Sequence, residues 1–514
     1  MKKILFLGIV TLTVVASCTP VKNATSNVDD GLITINFIQI NDVYEIAPLS
    51  GGKEGGMARV ATLKKKYLDK NPNTFLLMAG DFLSPSVYNS LKYEGKNIRG
   101  RQMIDAMNSA GIDIAIFGNH EFDIKESELQ ERINESHFQW ISSNTFHKQN
   151  GSAIPFTKVG DSGSTAFPTS YIKTITDADG TRARVGFIAV TLPFNKANYV
   201  SYTDAFAAAK EVYNQLKDSV DAVIAITHQT MEEDKQLAKE IPGLAMIVGG
   251  HEHDQHSVKI GNVGITKAMA NAKSAYVLRL IIDKESHTVK VRSLLEKIDS
   301  SVAVDSETNA VVQRWVKIAD DSYSSLGFNA KKTVIETGEP LDGRETSVRA
   351  GATNLTKLIV SAMAYSAPKA DVLIMNGGSI RVDDILQMPV TQYDIIRTLP
   401  FGGGIREVDL KGSMLLKIFK AGLKNKGTGG YLHYNSSVVF DAAADKWKLN
   451  NVEIDNLKTY RVAMPEFLLT GGEANLDFLT SKNTEIVKVY DAETSAADPR
   501  SDIRRAIIQY AGKK

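Results

Sequence analysis

The chain has 514 residues, with 60 basic against 59 acidic side chains and a formal net charge of +1. That length predicts about two to four domains, its 43% hydrophobic and 23% charged residues exclude a disordered chain, and its balanced charge gives no field for coating a nucleic-acid polymer. A single cysteine excludes a disulfide framework and any Cys-rich metal centre.

In chain order, Lys2 and Lys3 precede an apolar run, Ile4 to Val15, of signal-peptide length and too short for a membrane span. Val15-Ala16-Ser17-Cys18 follows and resembles a bacterial lipobox. That resemblance implies cleavage before Cys18 and lipidation of its thiol. It places the chain in the bacterial cell envelope, extracytoplasmic and held to a membrane by its lipid. A plain secretory signal or a buried thiol is the plainer reading of the same residues. Residues 1–17 read as signal peptide and 18–31, which are polar, as a tether.

From Leu32 the pattern alternates strand and helix. Ile33–Ile40 alternates and is β-rich. Met57–Leu68 has helical spacing, Thr74–Ala79 reads as a buried strand, Gly100–Ala110 as a helix and Asp113–Phe117 as a strand. Val185–Val190, Ala222–Ile226 and Ala245–Val248 continue the series, with a helix at Asp204–Leu216. The expectation is a layered α/β domain over 32–300. The 301–330 stretch carries a long helical pattern, Ser306–Leu326, and joins it to a second α/β domain at 331–514, with strands at Val372–Met375, Ser437–Phe440 and Tyr460–Met464.

Five of the apolar runs end in Asp, Asn or His. The residues are Asn41-Asp42, Gly80-Asp81, Gly118-Asn119-His120-Glu121 with Asp123, Thr227-His228, and Gly250-His251-Glu252-His253. The C-terminal edge of an α/β sheet is where ligand sites form. This donor chemistry suits Mn, Fe, Co or Zn, and the number of donors exceeds what one ion needs. It fits two divalent ions that share a carboxylate and activate a water for in-line attack at phosphorus. Each piece alone reads as a turn former or a surface histidine; their joint occurrence at strand ends carries the inference.

These motifs resemble the calcineurin-like metallophosphatase signature, and with the C-terminal half they resemble the 5′-nucleotidase family over about residues 32–512. The resemblance implies that Asp81 bridges the ions, that Asp42 and His253 bind one, and that Asn119, His228 and His251 bind the other. It also implies a catalytic dyad of His120 with Asp123, whose carboxylate orients the imidazole and favours its protonated form. One position departs from the family's Asp-x-His, because Tyr44 follows Asp42-Val43. A phenol is a poor ligand unless a cation displaces its proton. His253 would partly supply the missing imidazole, leaving a weaker first site or a tyrosinate bound to a ferric ion.

The C-terminal half lacks a nucleophile or metal cluster but has the parts of a nucleotide pocket. Asn376-Gly377-Gly378-Ser379-Ile380-Arg381, Pro400-Phe401-Gly402-Gly403 and Phe467-Leu468-Leu469-Thr470-Gly471-Gly472-Glu473 are glycine loops with aromatics beside them. Phe401 and Phe467 suit stacking on a flat base, and Arg349 and Arg381 suit a phosphate or carboxylate. The order resembles the 5′-nucleotidase C-terminal domain. That implies Arg349, Asn376 and Arg381 on the substrate and the two phenylalanines on its base. Glu473 stands where the family has a ribose-binding Asp. Gly51–Gly56 is not a phosphate loop, because no Gly-Lys-Ser/Thr follows, and reads as a flexible turn. Arg504-Arg505 reads as a solvated helix face. The expected activity is metal-dependent hydrolysis of extracytoplasmic nucleotides. Cyclic-nucleotide or nucleotide-sugar hydrolysis is the near alternative, and a nucleotide-binding envelope lipoprotein with a degenerate metal site the distant one.

Overall fold

The computed structural model describes residues 30–161, 163–194 and 197–513; Cys18 and its lipobox lie outside them. The first unit supplies strands β1 (Leu32–Ile40), β2 (Thr74–Met78), β3 (Ile114–Ile116), β4 (Gln139–Ile141), β5 (Ser170–Thr176) and β6 (Arg182–Thr191). It continues with β7 (Ala222–His228), β8 (Met246–Gly249), β9 (His256–Ile260), β10 (Val263–Lys267), β11 (Ser274–Asp283) and β12 (Thr288–Lys297). Helices α1 (Met57–Leu68), α2 (Arg101–Ala110), α3 (Ala205–Leu216) and α4 (Met231–Glu240) lie between them.

Among the described residues these strands form two six-stranded sheets, ordered β12-β11-β1-β2-β3-β4 and β5-β6-β7-β8-β10-β9. The sheets face each other. Side chains alternate along a strand, so Ile33, Ile35 and Phe37 of β1 point inward. There they meet Phe187, Ile224 and Val248 of the other sheet. The Phe37 and Phe187 rings cross edge to face with centroids 5.6 Å apart. Helices α1 and α2 cover the outer face of the first sheet, and α3 and α4 that of the second. The sequence-read strands and helices of this unit form within a few residues of their expected ends.

β1, β2 and β3 run parallel, as do β6, β7 and β8. Parallel strands finish at one edge of a sheet, which is why the polar residues after β1, β2, β3, β7 and β8 converge.

Helix α5 (Ser306–Ser325) begins at Asp305, whose Oδ1 accepts from the Thr308 backbone N–H at 3.0 Å. Its apolar stripe of Val312, Trp315 and Ala319 belongs to the core of the first unit, and the Trp315 indole N–H donates to Asp105 of α2. At its end Tyr323 meets Tyr393 of the second unit, ring centroids 6.4 Å apart.

The second unit is built on α6 (Asn354–Ser366), β13 (Val372–Asn376), β14 (Ile405–Lys411), α7 (Gly412–Lys424), β15 (Leu432–Tyr434), β16 (Thr459–Pro465), β17 (Ile486–Val489) and α8 (Ile503–Ala511). Its sheet is ordered β15-β13-β16-β14-β17. α6 and α8 pack on one face and α7 on the other. The strand expected near Ser437–Phe440 forms as Val438–Asp441, in a separate three-stranded antiparallel sheet. The expectation for Arg504 is corrected. Its side chain is buried, paired with Asp502 and stacked over Phe328 at 4.9 Å, because the aromatic face and the carboxylate together satisfy it.

Candidate active site

The cluster starts from backbone that side chains resist. Asp42, Asp81 and His251 have φ of 53°, 55° and 84°. Left-handed backbone of this kind costs roughly 1–3 kcal/mol at a non-glycine residue and persists only where surroundings over-determine it. The surroundings here are close-packed loops. A Cβ on Gly118 would lie 2.1 Å from Asp81 Oδ1, and one on Gly250 would lie 2.3 Å from the Ala79 carbonyl oxygen, so both positions require glycine.

Each carboxylate has one oxygen tied and one offered. Asp42 Oδ2 accepts from the Asn41 amide at 2.7 Å and from the His251 backbone N–H at 3.0 Å. Asp81 Oδ1 accepts from the His120 backbone N–H at 2.8 Å. Asp42 Oδ1 and Asp81 Oδ2 are left facing the imidazoles. One ligand-type atom each from Asp42, Asp81 and His228 lies within 4.8 Å of the others.

The histidine tautomers follow from their partners. His228 Nδ1 lies 2.8 Å from the Ala79 carbonyl, which only accepts, so Nδ1 carries the proton. Its Nε2 is fully buried, 3.1 Å from Asp81 Oδ2, and makes no hydrogen bond; Asn119 Oδ1 is likewise buried and unpartnered. Unpartnered buried polar atoms are costly, and an imidazole nitrogen facing a carboxylate at this range is what a cation requires. Burial opposes a charge on His228, yet Asp81 and Asp42 beside it raise it to about 10, so the carboxylates draw positive charge to Nε2, as a second proton or as a cation. Burial and the neighbouring His228 lower His251 to about 4.

Tyr44 completes a second group. Its hydroxyl is 3.0 Å from His253 Nε2, 3.3 Å from Asp81 Oδ2 and 3.4 Å from Asp42 Oδ1. His253 Nδ1 lies 2.8 Å from the Asp383 carbonyl and donates to it. Three acceptor-type atoms therefore converge around the single hydroxyl proton of Tyr44. Side chains alone can supply the missing positive charge by protonating His253, which Asp383 and Asp42 raise to about 9 against the opposing effect of burial. A cation supplies it as well and releases protons on binding. The residues present thus fit a divalent cation, with Asp81 Oδ2 between the His228 and Tyr44 groups.

Beside the cluster, His120 Nδ1 lies 2.7 Å from Asp123 Oδ2. Burial works against its charge, but Asp81 and Asp123 raise it to about 9. Glu121 has a role the sequence did not disclose. Its Oε1 accepts from the backbone N–H groups of Phe82 (2.7 Å) and Leu83 (3.0 Å), and its Oε2 from those of Asp81 (2.9 Å) and Gly118 (2.6 Å). This one buried carboxylate ties the loop after β2 to the loop after β3.

In the second unit a cavity of about 940 Å³ is lined by Arg349, Asn376, Arg381, Phe401, Phe467 and Glu473, all six residues singled out in that half. Phe401 is 73% exposed and Phe467 44%, so both rings lack a protein partner over much of their surface. Asn376 donates to Glu473 Oε2 at 2.7 Å and accepts from the Ser379 hydroxyl at 2.7 Å. Arg349 pairs with Glu345. Arg381 Nη2 reaches to 3.9 Å from Asp123 Oδ2, which brings a wall of the cavity to the His120 dyad.

Residues 35–255 match the calcineurin-like phosphoesterase family, and residues 331–480 match the 5′-nucleotidase C-terminal domain. The first unit is thus a calcineurin-like phosphoesterase domain and the second a 5′-nucleotidase C-terminal domain. The chain is 27% identical over 473 residues to the 5′-nucleotidase of Bos taurus and 26% identical over 477 residues to that of Homo sapiens, each alignment covering 82% of this chain and 78% of the relative. The solved 5′-nucleotidase precursor from Thermus thermophilus shares the fold, with a TM-score of 0.65, 22% identity and coverage of 94% and 96% of the two chains. The chain is accordingly a metallophosphoesterase, a hydrolase of α/β architecture in both units. No helix among the described residues is long and apolar enough to cross a membrane.

Proposed function

We propose that this chain is a lipid-anchored, extracytoplasmic enzyme of the 5′-nucleotidase family that releases phosphate from nucleotides with the aid of two divalent ions. The observation that carries the reading is the 3.9 Å approach of Arg381 to Asp123, which joins a cavity with two aromatic walls to the histidine–carboxylate cluster. Asp42, Tyr44 and His253 would hold one ion and Asn119, His228 and His251 the other, with Asp81 shared. When bound, the ions supply a nucleophilic water and positive charge for the phosphoryl oxygens.

The chain's own residues do the rest. Phe401 and Phe467 stack the base, and Glu473, fixed by Asn376, accepts from sugar hydroxyls. Arg381 and Arg349 hold the phosphate end against His120. Asp123 orients the imidazole of His120, which stays protonated near neutral pH and donates to the oxygen that gathers charge as the P–O bond breaks.

A second reading, nucleotide-sugar or cyclic-diester hydrolysis, is favoured by the size of the cavity. Its volume of about 940 Å³ is near the top of the usual range of about 300–1,000 Å³ and exceeds what one mononucleotide fills. A panel of nucleoside monophosphates, 2′,3′-cyclic nucleotides, UDP-glucose and bis-p-nitrophenyl phosphate, each with Mn, Co, Zn and Mg, tests both. Phosphate release fastest from monophosphates supports the first reading. Preferred turnover of the diesters or the nucleotide sugar replaces it with the second, and nucleotide binding without turnover under every ion leaves a binding protein.

A further inference from the structure

The two histidines read as ion ligands through Nε2 are oriented differently. A coordinating imidazole needs its other N–H held by an acceptor, which fixes both the tautomer and the ring plane. For His228 the acceptor is the Ala79 carbonyl, in the same unit. For His253 it is the carbonyl of Asp383, in the second unit, with Asp383 Oδ2 also 3.3 Å from Nδ1.

Asp383 is itself held for this contact. Its φ is 37°, in the left-handed region, and its Oδ1 accepts from the Glu345 backbone N–H at 2.6 Å. The next residue fastens the segment across the interface. Both oxygens of Asp384 lie 2.7 Å from Lys273 Nζ, and the Lys273 side chain is only 8% exposed. Lys273 follows Asn271, whose backbone N–H donates to the Asp42 carbonyl at 2.8 Å and whose Oδ1 accepts from the Tyr44 backbone N–H at 3.2 Å. The fastening therefore ends on the loop that braces Asp42 and Tyr44.

We infer that Asp383 is a positioning residue for His253, so that the first ion site, grouped around Asp42, Tyr44 and His253, reaches full affinity only when the Lys273–Asp384 pair docks the second unit against the first. The inference rests on the two-ion reading above. In the second site, grouped around Asn119, His228 and His251, the imidazole of His228 is oriented within the first unit, and that site does not share the dependence. By linkage, filling the first site favours docking to the same degree that docking tightens the site.

The test is a titration of the full chain with Co(II) alone, read by calorimetry and by visible absorption, with domain separation followed by small-angle scattering. The variants are Lys273→Met with Asp384→Asn, which removes both charges together so that neither is left buried alone, and Lys273→Arg, which keeps the pair. The wild type should bind two ions and become more compact as it does so. The double variant should weaken one ion by about 10- to 100-fold, the usual effect of losing a ligand's outer partner. It should leave the other ion unchanged and need correspondingly more cobalt to become compact, and Lys273→Arg should restore both. A double variant that keeps its circular dichroism and binds both ions as tightly as the wild type overturns the role of Asp383. A wild type that binds no pair of ions defeats the two-ion reading itself, and this inference with it, so the two failures are distinguishable.

Discussion

Replacing Glu121 by Gln tests whether one buried carboxylate sets the geometry of the cluster. Glu121 accepts four backbone N–H bonds, two on each oxygen. Glutamine has nearly the same shape but only one acceptor oxygen. Its amide group would point two donors at two backbone donors, leaving two buried N–H groups without an acceptor. At about 1–3 kcal/mol for each orphaned group, the cost is about 2–6 kcal/mol, against a typical domain stability of about 5–15 kcal/mol. The carboxylate itself is not at ease, since burial and then Asp81 raise it to about 7 despite its backbone donors. Part of the cost is therefore returned when the charge is removed, which favours the lower half of that range. Either pair of abandoned donors includes a residue of the loop that carries Asp81, whose φ of 55° needs outside support. Calorimetric unfolding should show a fall in Tm of roughly 4–12 °C, and cobalt titration should show weaker binding in both sites, because Asp81 is shared. A Glu121→Gln enzyme within about 0.5 kcal/mol of wild type that binds both ions normally would refute the reasoning.

Tyr44→His should raise the occupancy of the first site by Zn or Co, measured by metal analysis. The iron-loaded wild type should show a visible phenolate-to-metal band that Tyr44→Phe abolishes, and unchanged occupancy with no band would remove Tyr44 from the ligand set. Phe467→Ala and Phe401→Ala should each raise KM for a nucleotide by about 5- to 150-fold, from about 1–3 kcal/mol of lost stacking, with no effect on p-nitrophenyl phosphate; equal losses on both substrates would place the rings in the core instead. His433 is buried and held at about 4, burial outweighing its bond to the Val348 backbone. Its folded value is depressed, so the unfolded chain takes up the proton first. The stability it contributes is present above about pH 6.5 and is lost as pH falls toward 4, by on the order of 3 kcal/mol at most. His433→Gln should flatten that part of the stability curve in denaturant titrations, and an unchanged acid limb would contradict the assignment.

The fold and most of the cluster were legible because parallel strands are nearly continuous apolar runs that stop at one edge. Where ITINFIQI, TFLLMA and AVIAI stop, the next residues must lie at the same rim, so Asp42, Asp81 and His228 could be placed together without coordinates. The aromatic and glycine loops of the second unit were legible for a related reason: Phe401 stands in a turn and Phe467 in a four-residue 3₁₀ helix, where a large ring has no strand face to hide on. Glu121 was not legible in its role, because its partners are backbone N–H groups and a backbone donor looks the same at every residue. Asp383 and Lys273 were hidden by sequence distance, since their contacts exist only after two units dock. Arg504 misled in the opposite direction. A charged pair near the chain end suggests solvent, and only the position of Phe328 shows that a guanidinium can be buried flat against a ring.

Taken with the tied and offered carboxylate oxygens, these contacts explain how the molecule tolerates its own active site. Three left-handed residues, several buried acceptors and a cluster of carboxylates are each unfavourable. The tied groups are answered by partners in different elements: Asn41 and the His251 N–H for Asp42, the His120 N–H for Asp81, and Glu121 for the loops that carry Asp81 and Gly118. Within the cluster, what the protein leaves unanswered is Asn119 Oδ1, His228 Nε2 and the acceptors around Tyr44. A site whose framework is satisfied and whose inward-facing atoms lack donors is one whose remaining need is positive charge. On the proposed function that need, placed against the cavity wall at Arg381, would direct a phosphate rather than a neutral group into the gap between the two units.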